Sequence, residues 1–143
     1  MVFAYSLARL KVAYIERRYL LTRSERVFYL ALSKAYWDEY VVFSKVRIAD
    51  VLTPPTMSNK KKWWRLFTQI SSKHVDFVLC AFNDQTIVCW IALDPRSHWG
   101  AERRKRKAFV NKAFDVAALP RLRVATLSHY GTDELLSLKR SRV

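Results

Sequence analysis

Two aspartates stand in short apolar runs. Asp76 lies in Val75-Asp76-Phe77-Val78-Leu79, and Asp94 ends Ile91-Ala92-Leu93-Asp94. Asp is disfavoured inside a strand, so one in each of two such runs asks for a partner that stabilises it. A hard divalent cation such as Mg2+ or Mn2+ is one candidate. It takes oxygen ligands, keeps several waters, polarises a phosphate and lowers the pKa of an attacking water. Two carboxylates and a phosphate oxygen make a plausible first set of ligands, which points to metal-assisted hydrolysis of a phosphodiester. His98, shortly after Asp94, titrates near neutrality and can carry a proton or touch phosphate. The competing readings are a strand-end turn for Asp94, a structural role for His98, and an ion pair with Lys73 or an arginine for Asp76.

The elements around these residues decide whether they can meet. Val75–Phe82 and Thr86–Leu93 read as two strands joined at Asn83-Asp84-Gln85, whose Asn and Asp supply turn chemistry. Pairing Phe82 with Thr86 and counting outward sets Asp76 opposite Ala92, with Asp94 on the same face. Opposed residues have Cβ atoms about 5 Å apart and diagonal ones roughly 7 to 8 Å. The same register aligns Phe77, Leu79, Cys89 and Ile91 on the other face, which is predicted to be the core. Upstream, the spacing predicts a helix from Val2 to Tyr19. A capping box at Thr22-Arg23-Ser24-Glu25 then starts a second helix, Ser24 to Trp37. Tyr40–Ile48 reads as a strand with an irregularity near Ser44. Ala101–Ala117 reads as a basic amphipathic helix, Pro120–Leu127 as a last strand, and Asp133–Arg140 as a short helix capped by Thr132. Residues 1–21 are thus expected to be a helical extension packed on the domain, and 22–143 one domain with a basic tail.

Charge narrows the partner. The 143 residues carry 26 Lys and Arg against 12 Asp and Glu, a formal charge of +14, which attracts phosphate backbones and makes binding salt-dependent. DNA is the favoured partner, RNA the next. With 51% hydrophobic and 14% aromatic residues, disorder is excluded as the general state. Two regions concentrate the basic groups. Lys60-Lys61-Lys62-Trp63-Trp64-Arg65 mixes ammonium groups with indoles that can stack on bases or wedge between them; it reads as a short helix or an aromatic-rich loop in a flexible segment. Arg103-Arg104-Lys105-Arg106-Lys107 opens the helix after Asp94, and Lys73 precedes the first aspartate strand. No run reaches the roughly 18 apolar residues of a membrane span, and Met1–Leu21 is broken by Arg9, Lys11, Glu16, Arg17 and Arg18. A cytoplasmic protein with no membrane partner is therefore expected. Cys80 and Cys89 have neither zinc-site nor disulfide-framework spacing.

Four segments carry a resemblance. Arg47-Ile48-Ala49-Asp50-Val51-Leu52, Ile70 through Leu79, Ile91-Ala92-Leu93-Asp94-x-x-Ser97-His98 and Leu119-Pro120-x-Leu122-Arg123 together resemble the bacterial family called domain of unknown function 2726, over roughly Leu21 to Leu138. The resemblance implies the PD-(D/E)XK restriction-endonuclease-like superfamily and similarity to very-short-patch-repair endonuclease relatives. The implied fold is α/β, a mixed central sheet flanked by helices. It assigns Asp76 to the first metal-binding acid, Asp94 to the place usually held by a lysine, His98 to the family histidine, and Glu25 to the acid of the first helix, beside its capping role. Ala92 departs from the pattern, since the family carries Glu there as the second metal-binding acid. A natural loss and an inactivating substitution both fit that departure.

Three functions follow as expectations. The first is a DNA-binding protein with a metal-dependent endonuclease fold, impaired at Ala92, that binds better than it cuts. The second is a noncatalytic nucleic-acid-binding module that recruits other proteins into a larger machine. The third is a basic protein for acidic partners or membranes. A homodimer would suit double-strand cutting.

Overall fold

The computed structural model describes residues 14–36, 38–94, 100–131 and 135. Thr22 takes an extended conformation and accepts from the Glu25 amide, so the capping box forms and opens helix α1, Arg23–Ala35. Residues 14–21 are not helical, and Tyr14 and Ile15 are exposed. The helix expected up to Tyr19 is therefore absent from its described part. Thr22 must stay extended to cap α1, and Glu16, Arg17 and Arg18 keep the preceding chain in water. The rest of the expected N-terminal helix lies outside the described residues.

Strand β1, Tyr40–Arg47, follows, then a 3-10 turn at Ile48–Asp50 and helix α2, Lys60–Ser71. Strands β2, His74–Ala81, and β3, Ile87–Asp94, form the expected hairpin. Helix α3, Ala101–Val116, and strand β4, Arg121–Ala125, complete the order. Of the expected terminal helix, Leu135 alone is described; it is helical and buried. The sheet order is β1-β2-β3-β4, antiparallel for the first two pairings and parallel for β3 with β4. Helix α3 makes the crossover that a parallel pairing requires. This is the mixed α/β sheet flanked by helices that the resemblance implies.

The hairpin differs from expectation at its tip and agrees at its base. The Ala81 amide donates to the Thr86 carbonyl, Gln85 has a φ of 58°, and the Phe82 amide turns away to the Glu39 carbonyl. The connection is therefore longer than three residues, and Cys80 pairs with Ile87. A register shift between Leu79 and Cys80 absorbs the difference, so Phe77 still faces Ile91.

Both faces of the sheet are packed, which corrects the one-sided core. Phe28 and Leu32 of α1 cover Phe77, Leu79, Cys89 and Ile91, and Tyr130 and Leu135 close that layer. Phe28 meets Phe77 at 5.3 Å and Tyr130 at 5.1 Å between ring centres, tilted and edge-on. On the other face Ile48, Ile70, Val110 and Phe114 cover Val78, Cys80 and Trp90, with Trp90 stacked on Phe114 at 4.4 Å. Val75 joins this second layer, so the alternation is not strict at that end of β2.

Candidate functional site

The site lies where two strands part. Among the described residues, the β2–β3 pairing ends at Phe77 and Ile91, while β3 runs on beside β4 through Ala92, Leu93 and Asp94. Past Ile91 a side chain does the bridging: Oδ2 of Asp76 accepts from the Leu93 amide at 3.0 Å. A carboxylate is thereby anchored at the mouth of the gap. Burial pushes the Asp76 carboxyl above its ordinary value, opposed by the Leu93 amide and the positive charge of Lys45 and Arg106, and reinforced by the negative charge of Glu25.

Register lines up a row across the sheet. Ser44 faces Phe77 and Val46 faces Val75, which sets Lys45 across from Asp76 on β1. Continuing from Phe77 and Ile91 sets Ala92 beside Asp76, and Ala92 pairs in turn with Arg123. The row therefore reads Lys45, Asp76, Ala92, Arg123. Lys45 has a φ of 55°, a left-handed backbone in the middle of a strand, which is the irregularity expected near Ser44. Its ammonium ion-pairs with Oε1 of Glu25.

Glu25 serves two partners. Oε2 accepts from the Thr22 amide at 2.7 Å as the capping box requires, and Oε1 holds Lys45. Burial alone would raise this carboxyl, but the hydrogen bonds from Lys45 and Thr22 outweigh it and hold the group below its ordinary value. Helix capping and a place beside the site are thus compatible roles for one residue.

A cavity of about 260 Å³ opens at the two middle members of the row, bordered by Asp76, Ala92 and Asp94 on the sheet and by Arg103, Arg106 and Lys107 on α3. Asp76 and Asp94 share it, as the register predicts. Asp94, however, is held by cations: Lys107 ion-pairs with Oδ1, and Nη1 of Arg123 stands 3.7 Å from Oδ2. Its carbonyl also accepts from the Thr126 amide and hydroxyl, each at 3.1 Å, which pins the end of β3 to the chain beyond β4.

The remaining candidates divide. Arg103 and Arg106 are exposed at the cavity wall. Lys105 points outward to Glu102 at 3.5 Å, and Arg104 is exposed on the same helix. Lys73 does not reach Asp76; it lies over the Phe109 ring at 4.8 Å and donates to the Gln69 carbonyl. Lys60 to Arg65 belong to α2, an ordered helix capped by Asn59, whose side chain accepts from the Lys62 amide at 2.9 Å. They stand outside the cavity. His98 and Ser97 lie outside the described residues. Lys45, His74 and Arg123 were not anticipated; only the break in alternation at Ser44-Lys45 hinted at the first.

A family model described as "Protein of unknown function (DUF2726)" matches residues 17–138. The chain belongs to the DUF2726 family. No curated protein and no solved structure matches it. The match spans every strand and helix named above, so the parted strands and the cavity lie within the DUF2726 unit. Among the described residues no helix is long and apolar enough to cross a membrane.

A divalent ion tests this donor set. Among the described residues no group of three His, Cys, Asp or Glu side chains could hold a metal. Position 92 offers a methyl group, Asp94 faces two cations, and Glu25 is paired with Lys45. These residues do not fit a tightly held cation as they stand.

Proposed function

We propose that this DUF2726 protein binds DNA, or RNA presenting a similar backbone, in the cytoplasm, on the scaffold of a PD-(D/E)XK metal-dependent endonuclease impaired at Ala92. One arrangement carries the reading: Asp76, Ala92 and Asp94 border a single cleft whose opposite wall is arginine and lysine. A backbone phosphate entering it meets Arg103 and Arg106, which can grip it bidentately, next to the position where an acid at 92 would stand beside Asp76. Without that acid the Mg2+ or Mn2+ expected of such a site is weakly held, and binding outlasts cleavage.

Two measurements test the proposal. Duplex binding followed by fluorescence anisotropy should weaken steeply with salt, and replacing both Arg103 and Arg106 by Ala should lower the salt slope by about two. An unchanged slope would place the phosphates elsewhere. Ala92→Glu should generate Mn2+-dependent nicking that Asp76→Ala abolishes in the same background.

The ion pairs at Asp94 favour a second reading, a noncatalytic module that binds nucleic acid and recruits other proteins. Intact binding with an inactive Ala92→Glu protein selects it.

A further inference from the structure

Helix α2 presents a surface that the cleft does not use. Lys60, Lys61, Lys62 and Arg65 are exposed, and none forms an ion pair with a described residue. No acid stands in the first turn to offset them. Like charges so close together repel, and they sit at the positive end of the helix dipole, where the Asn59 cap brings no charge to offset them. An anionic partner relieves both.

The aromatic groups on this helix are a braced cluster. Trp63 stacks on Phe67 with ring centres 5.2 Å apart and an interplanar angle of 11°, while Trp64 stands edge-on to both, at 86° and 88°. Trp64 nevertheless keeps 59% of its surface exposed. A wedge that separates stacked base pairs has to project alone, whereas these rings support one another as a platform. Such platforms suit bases that are already unpaired. The opposite end of α2 is tied to the site: Ile70 packs in the layer with Trp90 and Val110, and His74, just past the helix, borders the cleft. Trp64 lies roughly 9 Å along the axis from Ile70 at the rise of an α-helix, a length that a few nucleotides of extended strand can span.

We propose that α2 is a docking surface for a single-stranded segment of nucleic acid, with an unpaired base stacked on Trp64 and the backbone phosphates on Lys60 to Lys62 and Arg65. The assignment rests on the nucleic-acid reading above and narrows it to substrates that carry unpaired bases beside a duplex, such as overhangs or gaps.

The test compares the full chain on a blunt duplex and on the same duplex extended by a single strand of roughly ten nucleotides, with the extension made once in DNA and once in RNA. Anisotropy should show the extended forms binding about tenfold more tightly. Trp64→Ala should erase that preference and leave blunt-duplex affinity unchanged, while Trp64→Phe, which keeps a stacking ring, should retain most of it. Because Trp64 is exposed, both variants should fold as the parent does. Equal binding of blunt and extended forms by the parent overturns the docking surface and leaves the nucleic-acid reading standing. Loss of affinity for both forms in Trp64→Ala also overturns it. If neither form binds, and Trp64→Ala instead weakens attachment to phosphatidylglycerol vesicles, both proposals fall.

Discussion

The two faces of one sheet have been finished differently. The face under α1 is closed: Phe28, Phe77 and Ile91 are fully buried and Leu135 nearly so, and rings interlock with rings. The face under α3 is closed only over part of its length. Trp90 and Phe114 seal it near the sheet centre, but past Ile91 the strands part, Ala92 leaves room, and charged groups replace apolar ones. A packed layer tolerates neither an unpaired charge nor a void. The cleft therefore sits where packing has been interrupted, and the sealed face supplies the stability that the interrupted one gives up.

The sharpest way to break this comparison is to damage the sealed face. Phe77→Ala should cost about 3–5 kcal/mol in chemical denaturation, enough to unfold a marginal domain; a much smaller loss would mean that the α1 layer does not dominate stability. Overpacking should separate the faces next. Cys89→Leu, in the sealed layer, should cost about 1–3 kcal/mol, whereas Ala92→Leu, facing the cleft, should cost under about 1 kcal/mol. Equal costs would remove the distinction.

The smallest effects concern two carboxyls displaced in opposite directions. Glu25 lies below its ordinary value, so its contribution is present above the ordinary carboxylate range and lost as pH falls through the lowered value. Glu25→Gln should destabilise by about 1 kcal/mol at neutral pH, with the gap closing in acid. Asp76 lies above its ordinary value, so the stability it contributes is full below the unfolded value and lost as pH rises through the raised one. Asp76→Asn should therefore stabilise the fold at neutral pH, by on the order of 1 kcal/mol, seen as a raised thermal midpoint, and the gain should vanish on acidification. Thermal melts across pH that moved both variants in one direction would refute the assignment of opposite environments.

Much of the site was legible along the chain. Alternation in two short runs put Asp76, Ala92 and Asp94 on one face, because a strand's period of two ties identity to side. The capping box located α1 because its two hydrogen bonds join residues three apart. The hairpin tip was misjudged because a register shift is stabilised by neighbours that local spacing does not contain. Along the chain α2 reads equally as helix or loop, because Lys and Trp say little about which face will find a partner; Ile70 finds one on the sheet. Lys45 was missed for a related reason: its meaning comes from Glu25 and Asp76, both distant in sequence.

By itself the sequence determined which residues can carry charge and which must be buried, since side-chain chemistry and short-range periodicity belong to the chain alone. Tertiary structure decided which of the described carboxylates are ion-paired. Asp94 is matched by Lys107 and Arg123 and Glu25 by Lys45, while among the described residues Asp76 accepts from the Leu93 amide and forms no ion pair. Ion pairing acts over a few ångströms between groups that many residues of chain keep apart until the sheet and its helices assemble.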